Sequence, residues 1–189
     1  MSKAILMSIN PRWCELIARG EKTIEIRKTI PKDLTPPFKV YIYMTAGDAS
    51  YTVTLNGAPY TCHNNGGKTV IGEFVCRNID DYSYDYCPHP EIGMDYDCGD
   101  NWWEIGDDEL DRACMTEAEF RQYARPRTTM FGWHISDLVI YERTKSLREF
   151  HRPCDSKCDG LCFEGVNCCR TLTRPPQSWC YVAEEAHHD

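Results

Sequence analysis

Residues 20–27 read Gly-Glu-Lys-Thr-Ile-Glu-Ile-Arg, and they carry the strongest indication of both fold and site in this chain. Apolar and polar side chains alternate over the second half of this octapeptide, which is typical of a β-strand with one face in the core. Ile24 and Ile26 are therefore expected to enter the core. Glu25 and Arg27 then lie side by side on the opposite face, where a carboxylate and a guanidinium can meet a ligand.

A strand and a short helix are predicted directly before the octapeptide. The run Ala4–Ile9 is apolar and predicts a strand. Asn10 followed by Pro11 is a typical helix start, because asparagine caps free backbone N–H groups and proline at the first position lacks one. Gly20 favours the left-handed conformation that ends helices. Lys22 leaves this turn on a flexible stem that can reach either face of the next strand.

The rest of the chain predicts an α+β fold in which most connections run from strand to strand. Capping boxes at Thr116 and Ser146 each predict a short helix. Runs rich in β-branched and aromatic residues predict strands at 38–44, 51–55, 58–62, 69–76, 131–141 and 179–182.

Length and composition indicate one domain spanning residues 1–189, expected in the cytoplasm. No apolar run approaches the about 20 residues that span a bilayer, and the N-terminus turns polar too soon for a secretory signal. The net charge of -8 argues against a non-specific nucleic-acid binder. Lysine and arginine nevertheless outnumber aspartate and glutamate in residues 1–45, so this part is locally attractive to phosphate.

Residues 80–111 form an acidic, tyrosine-rich segment with poor periodicity, which predicts an insertion on the domain surface. Trp102 and Trp103 lie in it, and anchoring the insertion is a better explanation for them than stacking on bases, because the nearby carboxylates repel phosphate. The charge of the segment also leaves open a protein partner that it binds by mimicking nucleic acid.

Half of the 12 cysteines fall near the C-terminus, in and just after the loop 153–170. Such a local cluster in a chain without an export signal favours metal or free thiols over a disulfide framework. Cysteines at every fourth residue suit a structural zinc site, and free thiols are an equally good explanation. The candidate ligands are Cys154, Cys158, Cys162 and Cys168.

By themselves, charged residues grouped as Lys22, Glu25 and Arg27 are most often a solvated ion pair on the protein surface. Their spacing favours a functional site instead, since Gly20, Lys22, Glu25 and Arg27 match the pattern Gly-x-Lys-x-x-Glu-x-Arg. With its helix–turn–strand setting, the chain resembles ASCH domain proteins of the PUA-like superfamily, particularly small bacterial and phage members. Residues 131–138 and 172–180 also resemble segments of these small ASCH proteins.

The resemblance implies a PUA-like small β-barrel with a few short helices and a cleft that binds RNA, a nucleotide or a modified nucleoside. It assigns ligand binding to the four matching residues. Separately, we expect Trp13 to lie beneath the cleft, and His134, on the strand predicted at 131–141, to be a structural histidine. On this interpretation, replacing Lys22 or Arg27 with alanine weakens binding and leaves stability nearly unchanged.

The alternative that the resemblance leaves open is a hydrolase, either an amidohydrolase of modified nucleosides or a ribonuclease. The amidohydrolase group uses a lysine, a threonine and a glutamate. Lys22 matches the lysine, Glu25 occupies the place of the threonine, and Thr23 is a displaced hydroxyl. These three residues are the candidates for catalysis.

Overall fold

The computed structural model describes residues 2–46, 51–55, 57–62, 67–85, 102–153 and 171–184. Its strands are β1 (Lys3–Ile9), β2 (Ile24–Arg27), β3 (Phe38–Met44), β4 (Tyr51–Leu55), β5 (Ala58–Cys62), β6 (Thr69–Asp85), β7 (Trp102–Trp103), β8 (Thr129–Ser146) and β9 (Trp179–Ala183). Its α-helices are α1 (Pro11–Ala18), α2 (Asp107–Arg112) and α3 (Glu117–Ala124), and a 3-10 turn covers Leu147–Glu149. The order strand, helix, strand predicted for the N-terminus is confirmed.

Seven strands form one mixed sheet in the order β2-β8-β6-β3-β1-β9, with β7 paired to the end of β6. The pair β1–β3 is parallel, and the other pairs along this path are antiparallel. β4 and β5 make a separate hairpin. The α+β class is confirmed. Within the described strands the sheet does not close into a barrel, because β2 and β9 at its two ends do not pair with each other.

Side chains bridge part of the space between these two ends. The indole Nε1 of Trp179 in β9 donates to Thr29 Oγ1 at 3.0 Å. The backbone N–H of Lys32 donates to the Tyr181 hydroxyl at 2.9 Å. The segment that follows β2 thus approaches β9 through side-chain hydrogen bonds and not through a strand ladder.

Both faces of β2 are covered. Ile24 and Ile26 are 0% and 3% exposed and enter an apolar cluster formed with α2, α3 and the end of β6, as their alternation predicts. Glu25 and Arg27 on the other face are also buried, at 6% exposure each. The elements that cover this polar face come from distant parts of the chain.

The acidic segment is more regular than its sequence indicates. β6 continues to Asp85 because β8 pairs with it along most of its length, up to Ser83 opposite Thr129. Trp103 is buried and packs edge-on against Phe120, with ring centroids 5.2 Å apart, so the predicted anchoring role is confirmed for this residue. Trp102 is 48% exposed. Residues 86–101 lie outside the described part of the chain.

Candidate ligand-binding cleft

A cavity of about 560 Å³ opens between the end of β1, β2 and the helices α1 and α3, and we call it the cleft. Glu25 and Arg27 of β2 line it together with Lys22, with Trp13 of α1 and with Tyr123 of α3. Its volume falls in the range of about 300–1,000 Å³ that is typical of small-molecule sites. The structure thus brings three of the four charged residues of the octapeptide to one concavity.

The charged trio in the cleft is a buried ion cluster. The Lys22, Glu25 and Arg27 side chains are 2%, 7% and 7% exposed. Lys22 Nζ lies 3.4 Å from Glu25 Oε2, and Arg27 Nη2 lies 3.0 Å from Glu25 Oε1. Two cations share one carboxylate, so the cluster carries a formal charge of +1 at a site where water cannot screen it well.

Backbone carbonyls hold both cations from outside the octapeptide. Lys22 Nζ donates to the Ala113 carbonyl, and Arg27 Nη2 donates to the Ser8 carbonyl at 2.8 Å. Ala113 follows α2, and Ser8 belongs to β1. Since buried cations need such partners, these contacts fix where the two side chains lie.

Two buried atoms of the cluster lack a hydrogen-bond partner within the described structure, Glu25 Oε2 and Arg27 Nε. The first is close enough to Lys22 for charge attraction, at 3.4 Å, but it accepts no hydrogen bond. Leaving a buried polar group unpaired costs about 1–3 kcal/mol. An acceptor and a donor without partners therefore belong to two paired residues that line one cavity.

Aromatic rings position the cations of the cleft. Lys22 Nζ lies 4.8 Å from the centroid of the Trp13 ring, and Lys28 Nζ lies 4.9 Å from that of Tyr123. Such contacts are worth about 0.5–2 kcal/mol, depending on exposure. Trp13 is thus a wall of the cleft, which differs from its expected place beneath it.

The far wall of the cleft is α3, which the sequence predicts as a helix but not as part of the site. Its capping box is confirmed, because Glu119 N–H donates to Thr116 Oγ1 at 3.2 Å and the Glu119 carboxylate accepts from the Thr116 N–H at 2.9 Å. These bonds to Thr116, with a smaller contribution from Arg12, lower the pKa of Glu119. Glu119 is therefore ionised at neutral pH, where it caps α3 and lines the cleft.

Tyr123 supplies a phenol to the same wall. Burial raises the pKa of Tyr123, and the charge of Glu25 raises it further, while the charge of Arg27 and its hydrogen bond act in the opposite direction. The phenol is thus protonated at neutral pH. It can donate a hydrogen bond to a ligand but does not act as a base there.

Three solved structures with a similar chain fold come from Zymomonas mobilis. The ASCH protein of Zymomonas mobilis is 17% identical, with 76% of this chain and 73% of that chain covered and a TM-score of 0.48. Its tyrosine-to-phenylalanine mutant is 19% identical, with 77% of each chain covered and a TM-score of 0.47. Its serine-to-alanine mutant is 18% identical, with 96% of this chain and 89% of that chain covered and a TM-score of 0.54.

The chain has an ASCH-like fold. The match to the serine-to-alanine mutant supports this assignment, because it extends over nearly all of both chains. No protein-family model and no curated protein sequence matches the chain. The resemblance deduced from residues 20–27 is therefore confirmed for the fold.

Two candidates from the motif lie elsewhere in this ASCH-like fold. Gly20 has φ +73° and turns the chain after α1 without lining the cleft. Thr23 also lies outside the lining, where its Oγ1 accepts from Arg112 Nε at 3.3 Å. The displaced hydroxyl considered for catalysis is thus held by Arg112 and is not part of the cleft.

His134 is held on both sides, as expected of a structural histidine. Its Nδ1 lies 3.3 Å from Arg112 Nη2, and its Nε2 lies 2.5 Å from Asp80 Oδ2. Because arginine only donates, Nδ1 is the acceptor and Nε2 carries the proton. His134 does not line the cleft.

Among residues that the structure describes, no three histidine, cysteine, aspartate or glutamate side chains are grouped to hold a metal ion. The zinc ligands suggested by the sequence, Cys154, Cys158, Cys162 and Cys168, lie outside the described residues. In the same described part, no helix is long and apolar enough to cross a membrane.

Proposed function

We propose that this chain binds RNA, a nucleotide or a modified nucleoside in the cleft, and that Lys22, Glu25 and Arg27 recognise it. The observation that carries this proposal is the pair of buried, unpartnered atoms, Glu25 Oε2 and Arg27 Nε. A ligand that offers a donor to one and an acceptor to the other would recover the cost of burying them unpaired. The edge of a nucleobase carries both donors and acceptors.

The charge of the cleft supports an anionic ligand. Its lining contains four formal positive charges and two negative ones, while the whole chain carries -8. An electropositive concavity on an acidic protein attracts phosphate locally and repels it elsewhere, which favours specific over non-specific binding. The charged lining residues are Lys22, Arg27, Lys28, Arg125, Glu25 and Glu119.

The hydrolase alternative has one supporting observation, a carboxylate between two cations in a cavity, which suits acid–base work beside charge stabilisation. Three others favour binding. Lys22 is engaged by Ala113, Glu25 and the Trp13 ring, Thr23 lies outside the cleft, and the raised pKa of Tyr123 keeps its phenol protonated. Incubation of the protein with RNA and with acylated nucleosides, followed by mass spectrometry, separates the two functions. A binding protein leaves these compounds unchanged, and a hydrolase cleaves them.

A thermal-shift screen of nucleosides, nucleotides and short oligoribonucleotides tests the proposal. A ligand at 100 times its dissociation constant stabilises the folded state by about 2.7 kcal/mol, which raises Tm by about 5–10 °C for a chain of this size. We expect Lys28→Gln to weaken the best ligand about fivefold, because it removes a cleft cation and about 1 kcal/mol of charge-assisted bonding.

Lys145→Gln is the matched control. Lys145 Nζ also lies 4.9 Å from a tyrosine ring, that of Tyr141, but it does not line the cleft. The control should therefore bind like the wild type. The proposal is wrong if no compound in the screen stabilises the wild type, or if both lysine variants weaken binding equally.

A further inference from the structure

A second cavity lies beyond the C-terminal end of α3, with a volume of about 280 Å³, and we call it the side pocket. Three arginines, Arg121, Arg125 and Arg127, line it together with the rings of Tyr84 and Trp103. Arg125 lines the cleft as well. The two cavities are therefore neighbours that share one lining residue.

The side pocket is strongly basic. Among the described residues it has no carboxylate in its lining. Arg121 is paired with Glu117 at 2.7 Å, whereas within the described part of the chain no carboxylate pairs with Arg125 or Arg127. Like charges that line one pocket repel one another, and an anion between them relieves the repulsion. Their planar forks match the geometry of phosphate oxygens.

Helix electrostatics explain only part of this arrangement. Cations near the C-terminal end of a helix are favourable, which accounts for a basic residue after α3. They do not account for a concavity with three arginines around it, or for its contact with the cleft. Trp103 is only 9% exposed and packs on Phe120, so it is a wall of the pocket and not a surface on which a base stacks.

We infer that the side pocket binds the phosphodiester group next to the nucleotide in the cleft, so that the ligand is a single-stranded oligonucleotide and not a free nucleoside. This inference rests on the function proposed for the cleft. Arg125, which lines both cavities, contacts the linking phosphate, and Arg127, which lines the side pocket alone, gives that phosphate a second guanidinium. The side pocket has half the volume of the cleft, which suits a phosphate and its sugar.

Calorimetric titration tests this inference. The ligands are a nucleoside, its 3′-monophosphate and the corresponding dinucleotide and tetranucleotide, each in a ribose and a deoxyribose form. We expect the wild type to bind the tetranucleotide at least tenfold more tightly than the nucleoside. Arg127→Gln should remove most of this gain and leave nucleoside affinity within twofold. The slope of log K against log salt for the tetranucleotide should become shallower by about 0.7 for each phosphate that the variant no longer neutralises.

Arg143→Gln is the control, since Arg143 is exposed on β8 and lines neither cavity. It should change neither the gain nor the salt slope. Arg127→Lys is a second variant that keeps the charge, and it should lose part of the gain because lysine lacks the fork.

The inference is overturned if the nucleoside binds and the tetranucleotide binds no more tightly, or if Arg127→Gln keeps the gain. Gain carried by the 3′-monophosphate alone would also overturn it, because a terminal phosphate then suffices. If neither nucleoside nor oligonucleotide binds the wild type, the proposed function of the cleft fails first and the inference fails with it.

Discussion

Replacing Glu25 with alanine is expected to lower the free energy of unfolding by about 3–5 kcal/mol, because it leaves two buried cations without their shared carboxylate. Lys22 and Arg27 lie 3.4 Å and 3.0 Å from the oxygens of Glu25, and their side chains are 2% and 7% exposed. Neither cation can turn to water without disturbing the packing around it. Urea denaturation followed by circular dichroism measures the loss.

An exposed ion pair provides the control for this experiment. Arg77 and Asp137 form a salt bridge with side chains 60% and 55% exposed. Asp137→Asn should cost no more than about 1 kcal/mol, since solvent screens such pairs and asparagine tolerates the positive φ of 48° at this position. If Glu25→Ala costs no more than Asp137→Asn, the carboxylate does not hold the two cations in the core of the site.

The burial of this cluster also changes what is expected of the two cations themselves. The sequence interpretation predicts that alanine at Lys22 or Arg27 leaves stability nearly unchanged. In the structure both side chains are buried, so removing either one leaves an unfilled space and takes away one of the two cations paired with Glu25, which costs stability as well as affinity. Alanine variants of these residues therefore cannot separate binding from folding, and a substitution that keeps the charge is needed.

Arg27→Lys is expected to weaken the binding of the best ligand by about 10–100-fold. Lysine keeps the positive charge next to Glu25 but lacks the fork and the Nε donor, which has no partner in the described structure. A hydrogen bond to a charged group is worth about 1.5–3 kcal/mol, which corresponds to that range of affinity. Calorimetric titration gives the affinity, and thermal unfolding checks that the variant is folded.

Arg77→Lys is the matched control for this substitution, because Arg77 also pairs with a carboxylate but lies outside the cleft. Its affinity should equal that of the wild type. If Arg27→Lys is folded and binds within twofold of the wild type, Arg27 serves the fold and not the ligand.

The sequence predicts the local framework of the site well. Alternation at Ile24 and Ile26 fixes which face of β2 meets the core, and the cap at Asn10 starts α1 where the structure has it. The pattern in residues 20–27 also leads to the ASCH-like fold. Each of these features depends on residues close together in the chain, which is why a pattern can reveal them.

The walls of the cleft were not predictable in the same way, because they depend on contacts over long sequence distances. Lys22 meets Ala113, and the β2 face is covered by Tyr123, about a hundred positions away along the chain. The end of β6 is similar, since its polar residues up to Asp85 have no strand pattern of their own and become regular by pairing with β8 and β7. Tertiary pairing outweighs local propensity there.

The central claim is that the cleft is where the ligand binds, and the indole signals of the five tryptophans test it most directly. In ¹H–¹⁵N spectra, Trp13 is assigned with a Trp13→Phe variant and Trp102 with a Trp102→Phe variant. Titration with a short oligoribonucleotide should shift the Trp13 signal, which comes from the cleft wall, and leave the signal of exposed Trp102 in place. A saturating shift at Trp102 with no change at Trp13 would contradict the account.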